Sequence, residues 1–298
     1  MDSDALRTFV AIHRAGGFSA AAALLHRSQP AISRRIAALE EELGVPLFER
    51  AAGGTVLSQA GQVLLPHAER ALAALQDSAD ALRAFRAGHG GPVSLAAVGT
   101  LAGTGLTAVL KRFAGQFPGA ALSLRTATSA EVSDLVRRGE VTIGLRYFDD
   151  PSPDLVCHSL GAERLLVVCA PGHPLAGAKI RSLRELKAEH WFAFPDVPDR
   201  RDVSAANIFA QFLVRGIADI RWAPVDSLTA QKRLVEAGFG IALLPESSVG
   251  EERAAGALAV IAVGDLKAAN PVSVITRRNG YLSEASRQLL DILKSAYR

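Results

Sequence analysis

The chain has 298 residues, 49% hydrophobic and 6% aromatic, with 33 basic against 30 acidic side chains and a net charge of +3. That composition supplies cores for two or three domains and excludes a disordered chain. No run approaches 18 consecutive apolar residues, which excludes a transmembrane helix, and Cys157 and Cys169 are too few for a disulfide framework or a cysteine-only zinc site.

The opening residues, Met1-Asp2-Ser3-Asp4, are acidic where a signal peptide is basic, so a cytoplasmic protein with no membrane partner is expected. Leu6, Phe9, Val10 and His13 fall at helical spacing, and Gly16-Gly17 ends that helix. Ser19 reads as the N-cap of a short helix from Ala20 to Leu25, and His26-Arg27 as a turn. Ser28 is a second N-cap, with Pro30 in the first turn of a helix that runs to Leu43-Gly44. Two short helices joined by such a turn make a helix-turn-helix.

The faces of the second of these helices follow from an advance of about 100° per residue. Ile32, Ile36, Leu39 and Leu43 form the buried stripe, and Gln29, Pro30, Ser33 and Arg34 lie on an arc centred about 120° away. Glutamine can pair with adenine, arginine with guanine or phosphate, and apolar atoms with the thymine methyl. Between residues 5 and 39 stand Arg7, Arg14, Arg27, Arg34 and Arg35 and no acid, a local positive surface that suits an anionic partner. A solvated face on a small helical bundle has the same pattern.

Residues 59–87 form one long helical pattern, ended by Gly88-His89-Gly90-Gly91-Pro92. Leu65, Ala68, Leu72, Leu75, Ala79 and Leu82 step by three and four, as the seam of a paired helix does, with Pro66 interrupting it early. A single amphipathic helix packed on its own domain is the other reading. Strand-like runs follow at Val93–Val98, Ala120–Arg125, Thr142–Arg146, Leu155–Leu160, Arg164–Ala170, Trp191–Phe194, Ile220–Ala223, Ile241–Leu244, Leu258–Val263 and Val272–Thr276. Helical patterns alternate with several of them, as in βαβ units, and a last helix starts near Leu282.

Gly17-Phe18-Ser19-Ala20-Ala21-Ala22, Ser28-Gln29-Pro30-Ala31-Ile32-Ser33-Arg34-Arg35-Ile36, Leu43-Gly44-Val45-Pro46-Leu47-Phe48-Glu49-Arg50 and Leu57-Ser58-Gln59-Ala60-Gly61 occur in that order. This stretch resembles the N-terminal domain of LysR-type transcriptional regulators, strongly before Gly61, and the remaining length and alternation fit that family loosely. The resemblance implies an α/β protein with a winged helix-turn-helix at 1–58 and a linker and dimerisation helix with its hinge at 59–91. A two-lobed, periplasmic-binding-protein-like effector domain would fill 92–298. Its first lobe would be about 92–162 with 268–298, its second about 163–267, and the chain would cross near Leu160–Glu163 and Lys267–Ala269.

By the same resemblance Gln29, Pro30, Ser33 and Arg34, with Ser28 at their cap, face the major groove of a partly palindromic operator. Arg50 touches the backbone, and Thr55 and Ser58 donate to phosphate. The wing tip, Ala51-Ala52-Gly53-Gly54, lacks the basic residue the family often carries there. Family members pair through the linker helix and commonly form tetramers, so a dimer or tetramer is implied. Thr100, Thr128 and Arg146 end neighbouring strands, where α/β sheets bind ligands, and Ser204 and Ser227 stand near helix starts. A small effector between the lobes is implied, with an organic anion as the candidate class. Arg146 would grip such an anion or else pair with Asp149 or Asp150.

Rival chemistries find little support. Gly103-Thr104-Gly105-Leu106-Thr107-Ala108 matches a dinucleotide fingerprint, yet it stands five residues past the strand end, and Arg125 occupies the place of the ribose-binding acid. Cys157 and His158 point to opposite faces of a strand and cannot share a metal; a thiol-responsive regulator of the same architecture remains the alternative. Neither a metal nor a cofactor is implied, and no hydrolase or NTPase motif occurs.

Overall fold

The computed structural model describes residues 1–51, 54–86, 91–195 and 203–297. It divides into two compact units, one of Met1–Arg83 with Arg137–Glu140, the other of Ala84–Val136 with Val141–Arg298. In the first unit α1 (Ser3–Ala15), α2 (Phe18–Leu24) and α3 (Gln29–Leu43) precede a hairpin of β1 (Phe48–Ala51) and β2 (Gly54–Leu57), and the 28-residue α4 (Gln59–Arg86) follows. Asp2 caps α1 by accepting from the Ala5 amide at 2.6 Å, and Gly16, at φ 74°, ends it in the left-handed conformation a glycine takes without strain.

The sequence pattern puts the start of the next helix at Ala20 with Ser19 as its cap; α2 instead begins at Phe18 behind Gly17. Tertiary packing explains the two extra residues, because the Phe18 ring meets Phe48 edge-on at 5.6 Å, and Phe48 lies 5.4 Å from Phe9. Phe9, Ile12, Ile32, Ile36, Leu39 and Leu47 make the core of this unit, closed by Ala68 of α4. Gly61 lets α4 come that close, since a Cβ there would sit 2.2 Å from the Leu47 carbonyl oxygen.

The second unit opens with β3 (Pro92–Val98), α5 (Thr104–Gln116), β4 (Ala121–Ala127), α6 (Ser129–Arg137) and β5 (Ile143–Tyr147). Next come β6 (Leu155–Cys169), β7 (Lys179–Ile180), β8 (His190–Ala193), α7 (Val203–Leu213), β9 (Arg221–Pro224) and α8 (Leu228–Glu236). The chain closes with β10 (Ile241–Pro245), α9 (Gly250–Ala254), β11 (Ala259–Val263), β12 (Ala269–Arg277) and α10 (Glu284–Ala296). The strands run β4-β3-β5-β12-β6-β10-β8-β9, with β11 joining β6 to β7.

The sequence pattern reads two strands on either side of Gly161, whereas the structure has one, the 15-residue β6. Its first part, Leu155 to Arg164, pairs with β12, and Leu165 to Cys169 pairs with β10 and β11. Gly161 adopts φ +105° where the β12 register shifts between Val272 and Ser273, so a bulge bends the strand without breaking it. The bend divides the unit into two lobes with separate cores. Leu95, Ile143, Val274 and Leu289 lie in the first lobe. In the second, Val167 and Cys169 face Trp191 and Phe212, while Leu166 and Val168 face Leu244 and Val235, following the period-two alternation of a strand.

Candidate functional site

Two surfaces bring together the residues singled out in the sequence. On α3, Ile32, Ile36 and Leu39 are buried, and Gln29, Pro30, Ser33 and Arg34 are exposed together on the first two turns. Ser28 caps this helix by its backbone conformation alone; its side chain makes no capping bond. Among the described residues Arg34 and Arg50 have no ion pair, whereas Arg35 is held by Asp4 at 3.3 Å. Arg50 is exposed on β1, directly opposite the half-buried Thr55 on β2. The wing tip at Ala52-Gly53 lies outside the described residues.

Ser58 corrects an expectation. It is 4% exposed, its hydroxyl donates to the Pro46 carbonyl at 2.6 Å, and it accepts from the Gly61 amide at 3.0 Å. Its Oγ serves the first turn of α4 and is not presented to a phosphate.

The second surface is a cavity of about 560 Å³ between the lobes. Thr100, Thr128, Glu131 and Tyr147 line it from the first lobe, and Phe194, Asp226, Ser227 and Thr229 from the second. The start of α6 lies against it on one side and the start of α8 on the other. Thr128 and Glu131 form a reciprocal cap: the Thr128 amide and hydroxyl donate to Glu131 Oε2 at 2.9 and 3.0 Å, and the Glu131 amide donates to Thr128 Oγ1 at 3.3 Å. Ser227 caps α8 by accepting from the Ala230 amide at 3.3 Å. Main-chain N–H groups in the first turn of a helix have no carbonyl behind them. At α6 the Glu131 carboxylate already supplies the acceptor, so the start of α8 is the end that favours an acceptor from the cavity, beside the Asp226 carboxylate.

Thr100, Thr128 and Ser227 therefore meet around one space. Arg146 is not among its lining residues. Its Nη1 donates to Asp150 Oδ2 and to Ser133 Oγ, both at 2.7 Å, and its Nε donates to the Tyr147 carbonyl at 3.2 Å. Burial alone would raise the Asp150 carboxyl, but hydrogen bonds from Ser152 and Ser133 and the Arg146 charge bring it down to about 2. Alternation along β5 decides this: Leu145 and Tyr147 face one way, Arg146 the other. Tyr147, one residue on, is the neighbour that reaches the cavity, and the period-two pattern was the signal for it. Ser204 lies in the first turn of α7, and its side chain falls outside what the structure describes.

The glycines of the dinucleotide-like run do not form a strand-to-helix turn. A 3-10 turn, Gly99–Leu101, separates β3 from Gly103, which caps α5. Cys169 is fully buried, and that burial, with Glu189 nearby, raises its thiol to about 11, so it is an inert core residue. Among the described residues no group of three or more His, Cys, Asp and Glu could hold a metal, and no helix is long and apolar enough to cross a membrane.

Comparison with known proteins gives two family matches: bacterial regulatory helix-turn-helix protein, lysR family, over residues 3–62, and LysR substrate binding domain over residues 86–298. The HTH-type transcriptional regulator TfdS of Cupriavidus pinatubonensis is 34% identical over 247 residues, 83% of each chain. BbuR of Bordetella bronchiseptica is 29% identical over 303 residues, covering 100% of this chain and 90% of its own. Among solved structures, CbnR, a LysR family transcriptional regulator, superposes with a TM-score of 0.67 at 28% identity, covering all of both chains. Full-length CbnR complexed with its target DNA gives 0.65 at 29% identity, covering 99% of this chain and 100% of that one.

Proposed function

The chain belongs to the LysR family, a DNA-binding transcriptional regulator with an effector-binding domain, and from that premise we propose that a small molecule seated between the two lobes governs how it engages an operator. The observation that carries this reading is the interlobe cavity, into which two helix starts and the hydroxyl-bearing Thr100, Thr128 and Ser227 converge. A ligand with an anionic group directed at the start of α8 suits it, because Ser227 and the first-turn amides are donors. Arg146 takes no part, being committed to Asp150.

On the DNA side, Gln29, Pro30, Ser33 and Arg34 read base edges in the major groove, with Ser28 and Arg50 on phosphate and Thr55 beside Arg50. Pairing of two chains uses the far half of α4. Leu65, Ala68 and Leu72 pack into the core of their own unit, while Leu75 and Leu82 are 48% and 66% exposed. Apolar residues seven apart and open to solvent on a long helix are what a second helix covers. Two such heads fit a partly palindromic operator, and pairs of pairs give the tetramer.

Fluorescence anisotropy against DNA from just upstream of the protein's own gene tests the reading, comparing wild type with a Gln29→Ala, Arg34→Ala double mutant over a salt series. Tight binding that the double mutant loses is the expected result. Equal binding of both proteins to scrambled and native sequence would overturn the assignment of α3.

A further inference from the structure

A chain of hydrogen bonds leaves the cavity and ends in the opposite lobe. The Tyr147 hydroxyl donates to Glu163 Oε2 at 2.7 Å and lies 2.9 Å from Thr100 Oγ1. A phenol has one proton, and the carboxylate takes it, so Thr100 must be the donor to Tyr147. Burial, with the Glu163 charge beside it, pushes the Tyr147 hydroxyl well above its ordinary range, so it stays protonated and the direction of the chain is fixed. On the far side Glu163 Oε1 accepts from the Ser247 hydroxyl.

The placement of these four residues matters more than any one bond. Thr100 and Tyr147 line the cavity in the first lobe. Glu163 stands on β6 two residues past the Gly161 bulge, opposite Asn270, and Leu165, two residues further on, is already paired with Pro245 of the second lobe. Ser247 lies on the 3-10 turn Glu246–Val249 that follows β10. Tyr147 and Glu163 thus connect the cavity wall, the crossing strand and the second lobe through side chains alone.

We propose that Thr100, Tyr147, Glu163 and Ser247 form an interlobe latch through which the state of the cavity is felt across the crossing strand. The proposal rests on the reading of the cavity as an effector site, and it adds a polarity. With its proton committed to Tyr147, Thr100 offers the cavity an acceptor. A ligand group that donates to Thr100, such as a hydroxyl or an amine, leaves the latch intact. A group that accepts from Thr100 removes the hydrogen bond that polarises the Tyr147 hydroxyl and so weakens, without breaking, its donation to Glu163. Glu163 and Ser247 are positioning residues, acting on the ligand only through Tyr147 and Thr100.

The test uses the full-length chain without ligand, so its failure is separable from failure of the effector reading. Hydrogen–deuterium exchange is followed at residues 161–165 and 246–250 in Thr100→Val, Ser247→Ala, their double mutant, Ser247→Thr and Tyr147→Phe. Each of Thr100→Val, Ser247→Ala and Tyr147→Phe should speed exchange in both segments by about 3- to 10-fold. The double mutant should be no faster than the faster single, since either change opens the same chain, and Ser247→Thr, which keeps the hydroxyl, should restore the wild-type rate. Singles that leave exchange unchanged, or a double mutant showing the product of the two single effects, would overturn the latch. Glu163→Ala removes both acceptor oxygens from the chain. It should exchange at least as fast as Ser247→Ala with unchanged operator affinity, and wild-type exchange in Glu163→Ala would count against the proposal equally.

Discussion

The two surfaces of this molecule are built on different length scales. The face proposed to meet DNA comes from four positions within two turns of α3, Gln29, Pro30, Ser33 and Arg34, oriented by the packing of Ile32, Ile36 and Leu39 on the same helix. The cavity wall comes from Thr100, Thr128, Tyr147 and Ser227, residues that only the sheet topology brings together. A surface carried by one helix keeps its shape as long as that helix stays docked. A surface shared by two lobes changes whenever the lobes move, which makes it suited to sensing.

Experiments can break this contrast or sharpen it. The largest effect is expected from Phe9→Ala, which empties the centre of the first unit beneath α3. It should cost about 3–5 kcal/mol in denaturant unfolding of that unit while leaving the transition of the effector domain in place. Loss of both transitions together would mean that the units do not fold separately. Next comes Arg34→Ala, with an expected loss of about 1–3 kcal/mol in specific DNA binding if the guanidinium reads a base. A uniform loss on every sequence, with the salt slope reduced by about one, would move Arg34 to the phosphates.

Smaller effects distinguish structure from contact. Ser58→Ala removes the hydroxyl that caps the start of α4 and should cost about 0.5–2 kcal/mol of stability. The salt slope of DNA binding should stay unchanged, and a fall of one unit would return Ser58 to the phosphate-binding set. The smallest effect is a pH dependence of the effector domain. Asp150 is lowered to about 2 from an ordinary 3.8, so its contribution to stability is fully present above about pH 4 and is lost as pH falls through 2. Asp150→Asn should flatten that acid limb in a thermal melting series. An unaltered limb would leave Asp265, also lowered to about 2 beside Arg215, as its source.

The helix-turn-helix was legible because its signals are local: caps, glycine stops and an apolar stripe within single helices. The seam on the long helix was legible as a pattern but not in its division of labour. Nothing in the spacing of Leu65, Leu72, Leu75 and Leu82 says that the first two enter their own core and the last two remain open. Strand ends were readable to a few positions, yet Gly161 read as a gap where the structure has a bulge. Its neighbours keep their ladder on β12 through the register shift, and a ladder partner is not visible in a single segment.

By itself, then, the sequence determined the family, the order of domains and which face of α3 is exposed, because each rests on residues within a turn or two of one another. The tertiary structure alone decided which partners take Arg146, that Ser58 is a buried cap, and that β6 runs unbroken from one lobe to the other. In those cases the outcome depends on which partner reaches a side chain first. Asp150 and Ser133 take Arg146, the Pro46 carbonyl takes Ser58, and Glu163 takes the Tyr147 proton. Buried polar groups must be satisfied by whatever the fold places within about 3 Å, and no spacing along the chain states what that will be.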